Sequence, residues 1–233
     1  MRFKRAERNS QSFTGASSNA GSIPELHSNL ASLLFQKVQV DKQLVVLDVG
    51  LAMPATVDFF SHFKCKLLFV DLYSHQLLSA AYADETESQQ DQQQPTHAEL
   101  VEQFTAALNL TSSIKIDICL FWDFFNYLDG TLLKAFIEAL QPYLSEDSCG
   151  YGLGVLNARR QLPSFQYGLK TLDTLSQYQC TEEQKSVYPH SQRDLNNLLG
   201  YFDIDKSRLM PDGRVEYLLS QGSDSKFVKS PIF

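Results

Sequence analysis

Short apolar runs alternate along this chain with stretches in which apolar residues recur at helical spacing. Runs of this length predict buried strands, and the spaced stretches predict the helices that cover them. We predict strands at residues 44–48, 66–71, 114–120 and 151–156. Alternation of strands and helices is typical of a parallel sheet with helices on both faces.

The predicted helices begin at residues that favour helix starts. Pro24 and Pro54 each suit a first helical turn, and the leucines that follow Pro24 share one face. Thr96 and Ser191 each stand three positions before an acidic residue, which is typical of a capping box. Two further helices are predicted at residues 74–82 and 132–140.

The chain closes with two segments that alternate between apolar and polar residues. They cover residues 202–207 and 215–219, and the turn sequence Pro211-Asp212-Gly213 separates them. This pattern predicts an antiparallel hairpin. We therefore expect an α/β fold, with a doubly wound, mostly parallel sheet, helices on both faces and a C-terminal antiparallel β-hairpin.

Two stretches are polar and lack periodicity. Residues 1–21 are rich in Ser, Asn and Gly, with four basic residues, and we expect a disordered basic tail. Residues 84–95 are acidic and rich in glutamine, which predicts a surface loop. Because the chain has 233 residues and is 43% apolar, residues 22–233 are expected to form a single domain.

Charge and cysteine content narrow the expected partners. The net charge of −7 disfavours nucleic acid, whose phosphates require clustered Lys and Arg. The four cysteines lack metal-ligand spacing, so we expect free thiols in a reducing compartment and no metal. The sequence has no signal peptide and no apolar run long enough to cross a bilayer, which predicts a cytoplasmic protein without a membrane partner.

The strongest chemical signal is an acid at the end of each of the first two strands. Asp48 ends the first strand, Gly50 follows in the turn, and Asp71 ends the second strand. This unit is how many α/β proteins hold a nucleoside-containing cofactor. The sequence Gly150-x-Gly152-x-Gly154 is not interpreted in this way, because it lies inside a predicted strand and no helix follows it directly.

The acidic strand ends, combined with the terminal hairpin, resemble the class I S-adenosylmethionine (SAM)-dependent methyltransferases over about residues 24–220. The resemblance implies that Asp48 and Gly50 approach the methionine part of SAM and that Asp71 binds the ribose. Ala52 and Pro54 stand where the family has its second and third glycines. A strand that the family has after Asp71 is not predicted here.

The resemblance also implies a set of binding residues. The expected cofactor-binding residues are Asp48, Gly50, Leu51, Ala52, Asp71, Leu72 and Asp123. The candidates on the substrate side are Trp122, Asn126, Tyr127 and Asn157. Methyl transfer requires positioning and can proceed without a dedicated base, so no catalytic residue is predicted.

Three functions remain open from the sequence. The leading hypothesis is a SAM-dependent methyltransferase that acts on a small-molecule or protein acceptor. The alternative is a catalytically inactive protein of the same fold, used for binding or assembly, which the altered glycine turn favours. A nicotinamide-dependent oxidoreductase is the third, although Pro54 withholds an N–H group that a pyrophosphate would need.

Overall fold

A computed structural model describes residues 25–36, 41–74, 78, 95–156, 164–180 and 186–222. The predicted tail, almost all of the predicted loop at residues 84–95, most of the predicted helix at 74–82 and the candidate Asn157 lie outside the described residues. The extent of the domain therefore stays a prediction.

The described strands are β1 (Leu26–His27), β2 (Leu44–Asp48), β3 (Cys65–Phe69), β4 (Ile116–Trp122), β5 (Leu144–Val155), β6 (Phe165–Leu169), β7 (Thr174–Gln179), β8 (Phe202–Leu209) and β9 (Arg214–Gln221). The described helices are α1 (Pro54–Ser61), α2 (His97–Leu108), α3 (Gly130–Leu140) and α4 (Gln192–Leu198), with 3₁₀ helices at Ala31–Phe35, Phe124–Tyr127 and Gln141–Tyr143.

Six strands form the main sheet in the order β3-β2-β4-β5-β9-β8. The first four run parallel to one another, whereas β9 is antiparallel to both β5 and β8. This topology confirms the predicted mostly parallel sheet with its C-terminal hairpin. Within the described residues no strand lies between β3 and β4, so β3 stands at one edge.

Two apolar layers cover the sheet. Helices α2, α3 and α4 pack on one face, where Phe104, Phe136 and Leu195 join its core. Helix α1, the first 3₁₀ helix and parts of a second sheet cover the other face, with Phe60 and Tyr167 among the buried residues. The expectation of helices on both faces is therefore correct.

The second sheet has three strands in the order β1-β7-β6, all antiparallel. No pattern in the sequence predicts this second sheet. Its strands are short, and β7 carries Thr174, Ser176 and Gln177 among its apolar residues. Such a segment gives only a weak alternating pattern, so its pairing partners decide its conformation rather than its own sequence.

The helix predicted from Pro24 is wrong for the described part, because residues 26–27 pair with β7 and a 3₁₀ helix follows. Glu216, which is fully buried in β9, explains the difference. Its carboxylate accepts hydrogen bonds from Ser28 Oγ (2.7 Å) and from the backbone N–H groups of Asn29 (3.1 Å) and Leu30 (3.3 Å). These tertiary bonds fix the segment and override its helical spacing.

Both predicted capping boxes are present. Thr96 accepts a bond from the N–H of Glu99, and Ser191 accepts one from Asp194, at the starts of α2 and α4. Helix α1 begins at Pro54, as predicted. These starts are readable from sequence because the capping bonds join residues only three positions apart.

The glycines of β5 provide space for aromatic rings from neighbouring strands. A Cβ atom at Gly150 would lie 2.7 Å from Cε2 of the fully buried Phe121, and one at Gly154 would lie 2.5 Å from a ring carbon of Tyr217. A Cβ at Gly152 would meet nothing closer than 3.6 Å. Two of the three glycines thus serve packing, in agreement with their place inside a strand.

We expect Gly150→Ala to lower the free energy of unfolding by about 1–3 kcal/mol, because the added methyl group overpacks Phe121. Gly152→Ala in the same strand is the matched control, and it should leave stability unchanged or raise it by up to about 1 kcal/mol. Urea denaturation of both variants measures the difference. Equal losses in the two variants would contradict the packing explanation.

Candidate functional site

The chain changes direction at the carboxyl ends of β2, β3 and β4. From β2 the chain crosses through α1 to β3 on one side, while β4 lies on the other side of β2. Open α/β sheets bind ligands in the crevice at such a point. A cleft lies there, lined by Gly50, Leu51, Asp71, Tyr73, Ser74, Trp122, Ser164, Phe165, Gln166, Tyr167 and Cys180.

Asp48 is buried beside this cleft, with 1% of its surface exposed. Its Oδ1 atom accepts hydrogen bonds from the Gly50 N–H (2.9 Å) and from the Trp122 indole Nε1–H (2.7 Å). Its Oδ2 atom is buried and has no hydrogen-bond partner in the structure. Burial raises the pKa of Asp48 to about 7, although the two bonds to Oδ1 oppose that rise.

Trp122 ends β4 in an unusual conformation. Its φ of 49° lies in the left-handed region, and the pairing of β4 with β5 shifts register between Leu120 and Trp122. Holding a bulky residue in this region costs about 1–3 kcal/mol, and such strain clusters at functional sites. The indole stacks on Tyr167, with ring centroids 5.9 Å apart and planes 18° apart.

Gly50 allows the close approach of these groups. A Cβ atom at this position would lie 3.3 Å from Asp48 Oδ1 and 3.5 Å from Trp122 Cδ1. Neither Gly50 nor Ala52 has a positive φ. Ala52 is therefore unstrained in this turn, and because it is exposed, its methyl group points away from the packed interior.

Asp123 lies behind the cleft wall, at the centre of three phenol groups. Tyr73 Oη donates to Oδ1 (2.8 Å), while Tyr127 Oη (3.1 Å) and Tyr167 Oη (3.4 Å) donate to Oδ2. Burial raises the pKa of Asp123 in spite of the bonds from Tyr73 and Tyr127. Tyr73 and Tyr167 also line the cleft, so this carboxyl fixes two of its walls.

Arg214 of β9 holds the second sheet against the cleft. Its Nη1 donates to Tyr167 Oη (2.6 Å) and its Nη2 to Gln177 Oε1 (3.0 Å), while Nε donates to Asp212 Oδ2 (2.7 Å). The guanidinium also lies 5.6 Å from the centroids of the Phe165 and Tyr167 rings, within cation–π range. Strand β6 is thereby fixed over the carboxyl edge of the main sheet.

Asp71 follows β3 and is half-buried in the cleft wall. Its Oδ1 atom accepts a hydrogen bond from the N–H of Ser74 (3.3 Å), which shapes the turn. Asp71 and Asp48 thus flank the same cleft edge from adjacent parallel strands. The predicted residues Gly50, Leu51, Asp71 and Trp122 all line the cleft, and Asp48 and Asp123 lie directly behind it.

Other predicted site residues lie away from the cleft lining. Leu72 is buried in the core and its N–H donates to Val49 O (3.0 Å), and Ala52 is exposed. Asn126 uses its amide to bind the backbone of β5, at Leu153 O and Val155 N, both at 3.2 Å. Tyr127 does not line the cleft, but it contacts the site through Asp123 and through the ring of Tyr73.

Sequence reasoning missed four contributors to the site: Tyr73, Phe165, Tyr167 and Arg214. Tyr73 stands two positions after Asp71, so its proximity to the cleft was a usable signal. The other three reach the cleft only because β6 lies over it and β9 carries a buried guanidinium. No local sequence pattern predicts the position of β6 over the cleft or the buried guanidinium of β9.

The free space in the cleft is small. Its cavity volume is about 20 Å³. Such a space holds one or two water molecules, whereas sites for small molecules measure about 300–1,000 Å³. Trp122 and Tyr167 are among the residues that line it.

The described residues contain no group of three His, Cys, Asp or Glu side chains placed to hold a metal ion. Among the same residues, no helix combines the length and the apolar character that crossing a membrane requires.

The strand order, in which only β9 runs against the other strands of the main sheet, decides the fold. It is a Rossmann-like, doubly wound fold with a C-terminal antiparallel hairpin. The expectation drawn from the resemblance is confirmed at this level.

Several solved structures similar to this chain are described as methyltransferases. One is a 1,6-didemethyltoxoflavin-N1-methyltransferase from Burkholderia thailandensis with bound S-adenosylhomocysteine, at 12% identity and TM-score 0.45, covering 83% of this chain and 77% of that chain. Another is a SAM-dependent methyltransferase from Clostridium acetobutylicum, at 15% identity and TM-score 0.41, covering 83% and 96%. This chain spans 55% of the pyocyanin biosynthetic protein PhzM, at 10% identity and TM-score 0.43, with 83% of this chain covered. No protein-family model and no curated protein matches the chain.

We expect Asp48→Asn to stabilise the protein at pH 8 by about 1–3 kcal/mol. An unfolded Asp titrates near pH 4, whereas Asp48 in the folded chain titrates at about 7. The native state therefore binds the proton more tightly, and wild-type stability falls as the pH rises between these values. The variant lacks this loss, so its advantage should be smaller at pH 5 than at pH 8.

Urea denaturation of both proteins at the two pH values measures this advantage. The matched control is Asp58→Asn on the exposed side of α1, which should show no such dependence. An advantage for Asp48→Asn that is equal at pH 5 and pH 8 would contradict a raised pKa at this position.

Proposed function

We propose that this chain binds S-adenosyl-L-methionine at the Asp48 cleft and transfers its methyl group to a small-molecule or protein acceptor. The observation that carries the proposal is the buried Asp48 Oδ2 atom without a partner, at the carboxyl end of β2. A buried carboxylate oxygen without a partner is costly, and a ligand that donates to it would remove that cost.

The chemistry of the ligand fits that atom. SAM carries an ammonium group at its amino-acid end and a cationic sulfonium, so a buried carboxylate is a suitable partner for it. Asp71 supports the nucleoside end, since a carboxylate beyond the second strand can accept hydrogen bonds from ribose hydroxyls. Gly50 lies between the two acids in the chain and lines the cleft with Asp71.

The residues of the chain would act by binding, orienting and excluding water. When bound, SAM supplies an electrophilic methyl group on sulfur. Trp122, Tyr167 and Phe165 are apolar walls that keep water from the reacting groups. Tyr73, whose hydroxyl is fixed by Asp123 behind the wall, adds a further aromatic ring to the lining of the cleft.

A second candidate function is ligand-independent binding or assembly by an inactive methyltransferase fold. Two observations favour it: the small free space in the cleft, and the Trp122 indole that already donates to Asp48. Under this function, the Trp122–Asp48 bond is a permanent part of the core, and SAM has no affinity for the chain.

Isothermal titration of the whole chain with SAM and with S-adenosylhomocysteine (SAH) separates the two functions. We expect micromolar affinity for both ligands and none for NAD, which serves as the specificity control. Asp71→Ala and Asp48→Asn should each weaken binding by about tenfold or more, because each removes a charge-assisted hydrogen bond. Asp58→Asn on the neighbouring helix should bind like the wild type.

Absence of heat from SAM and SAH up to millimolar concentration would exclude the methyltransferase and leave the inactive fold. Binding that Asp71→Ala and Asp48→Asn leave unchanged would show that the ligand sits elsewhere. Heat from NAD alone would favour the oxidoreductase that the sequence left open.

A further inference from the structure

The Trp122 indole covers Asp48 and donates a hydrogen bond to one of its two carboxylate oxygens. Its Nε1–H lies 2.7 Å from Oδ1, in a setting that water does not reach. The same ring stands over Gly50, where even one added methyl group would come within 3.5 Å of it. The residue therefore covers both the carboxylate and the turn that the proposed function gives to the ligand.

Tyr167 secures this arrangement from the other side. Its ring stacks on Trp122, and its hydroxyl both accepts from Arg214 and donates to Asp123. Strand β6 also packs tightly against α1, since a Cβ at Gly168 would lie 3.2 Å from Oγ1 of Thr56 in that helix. The indole is thus held between the main sheet and the β6–β7 hairpin.

The backbone of Trp122 is strained in this state. Its φ of 49° is one that tryptophan adopts only when surrounding contacts enforce it. The contacts that do so are the bond to Asp48 and the stack on Tyr167. When either is released, the backbone can relax, and this relaxation favours movement of the indole out of the cleft.

We propose that Trp122 is an occluding side chain that covers Asp48, and that SAM or SAH reaches the Oδ2 atom only when the indole leaves Oδ1 and the stack on Tyr167 opens. The inference rests on the proposed function and goes beyond it, because it gives the ligand-free chain a closed state. The measured affinity is then the intrinsic affinity reduced by the fraction of molecules that are open.

Removing the indole N–H group that holds Trp122 on Asp48 tests the inference. Trp122→Phe keeps an aromatic ring but has no N–H group, so it cannot bond to Asp48. We expect Trp122→Phe to bind SAH about tenfold more tightly than the wild type in calorimetric titration. Tyr143→Phe is the matched control: Tyr143 is buried away from the cleft, where its hydroxyl bonds to Leu110 O, and the variant should bind SAH like the wild type.

Tyr167→Phe provides a second arm in case Trp122→Phe does not fold. It keeps the stacked ring but loses the hydroxyl that joins Arg214 and Asp123, so the hairpin opens more readily. We expect an increase in SAH affinity of severalfold. Thermal unfolding of each variant in the absence of ligand checks that the fold is intact.

The outcomes separate the two proposals. If Trp122→Phe binds SAH as tightly as the wild type or more weakly, the occlusion is overturned but the SAM site is not. The indole is then part of the wall of that site. Measurable binding by the wild type that becomes about tenfold tighter in Trp122→Phe supports the occlusion. No binding by any of the proteins overturns the occlusion together with the proposed function.

Discussion

The carboxyl group of Asp48 is the interaction on which the rest of the site depends. It lies at the end of a central parallel strand, where burial is nearly complete, and one of its oxygen atoms is bonded twice while the other is not bonded at all. The turn at Gly50 and the strained Trp122 are both shaped by bonds to that first oxygen. A core selected only for stability would not keep such a group, because a neutral side chain would avoid its desolvation. The cost of burying this carboxylate is explained if its Oδ2 atom accepts a hydrogen bond from a ligand.

A second constraint comes from two charges on β9. Arg214 and Glu216 are two positions apart, so both point to the same face of the sheet, and both are buried. Arg214 holds Tyr167 and Gln177 of the second sheet, while Glu216 holds Ser28 and the N–H groups that follow it. Arg214 forms an ion pair with Asp212, and hydrogen bonds satisfy the carboxylate of Glu216, so the burial of these two groups fixes one arrangement of the segments rather than adding much stability. One side of the cleft is therefore formed by the second sheet, which these two residues hold against the main sheet.

The parts of the molecule that sequence predicts are those with local causes. Strand β2, the start of α1, both capping boxes and the terminal hairpin follow from residues near one another in the chain. Asp48, Gly50 and Asp71 could be found because strand ends meet at one edge of a parallel sheet. The leucines near Leu26 have helical spacing, which predicts a helix. The carboxylate of Glu216, which lies 188 positions after Ser28 in the chain, determines the conformation of this segment instead. Arg214, Phe165 and Tyr167 were missed for the same reason, since only the tertiary fold brings them to Trp122.

The measurement that tests this account most directly is the fluorescence of Trp122 during addition of SAH. Trp122 is the single tryptophan of the chain, so its emission reports on the cleft alone. The account predicts a saturable change at micromolar SAH, with the emission moving to longer wavelength as the buried indole leaves Asp48 for a more polar environment. An emission that stays unchanged up to millimolar SAH would contradict it, and the Trp122–Asp48 bond would then be a fixed element of the core.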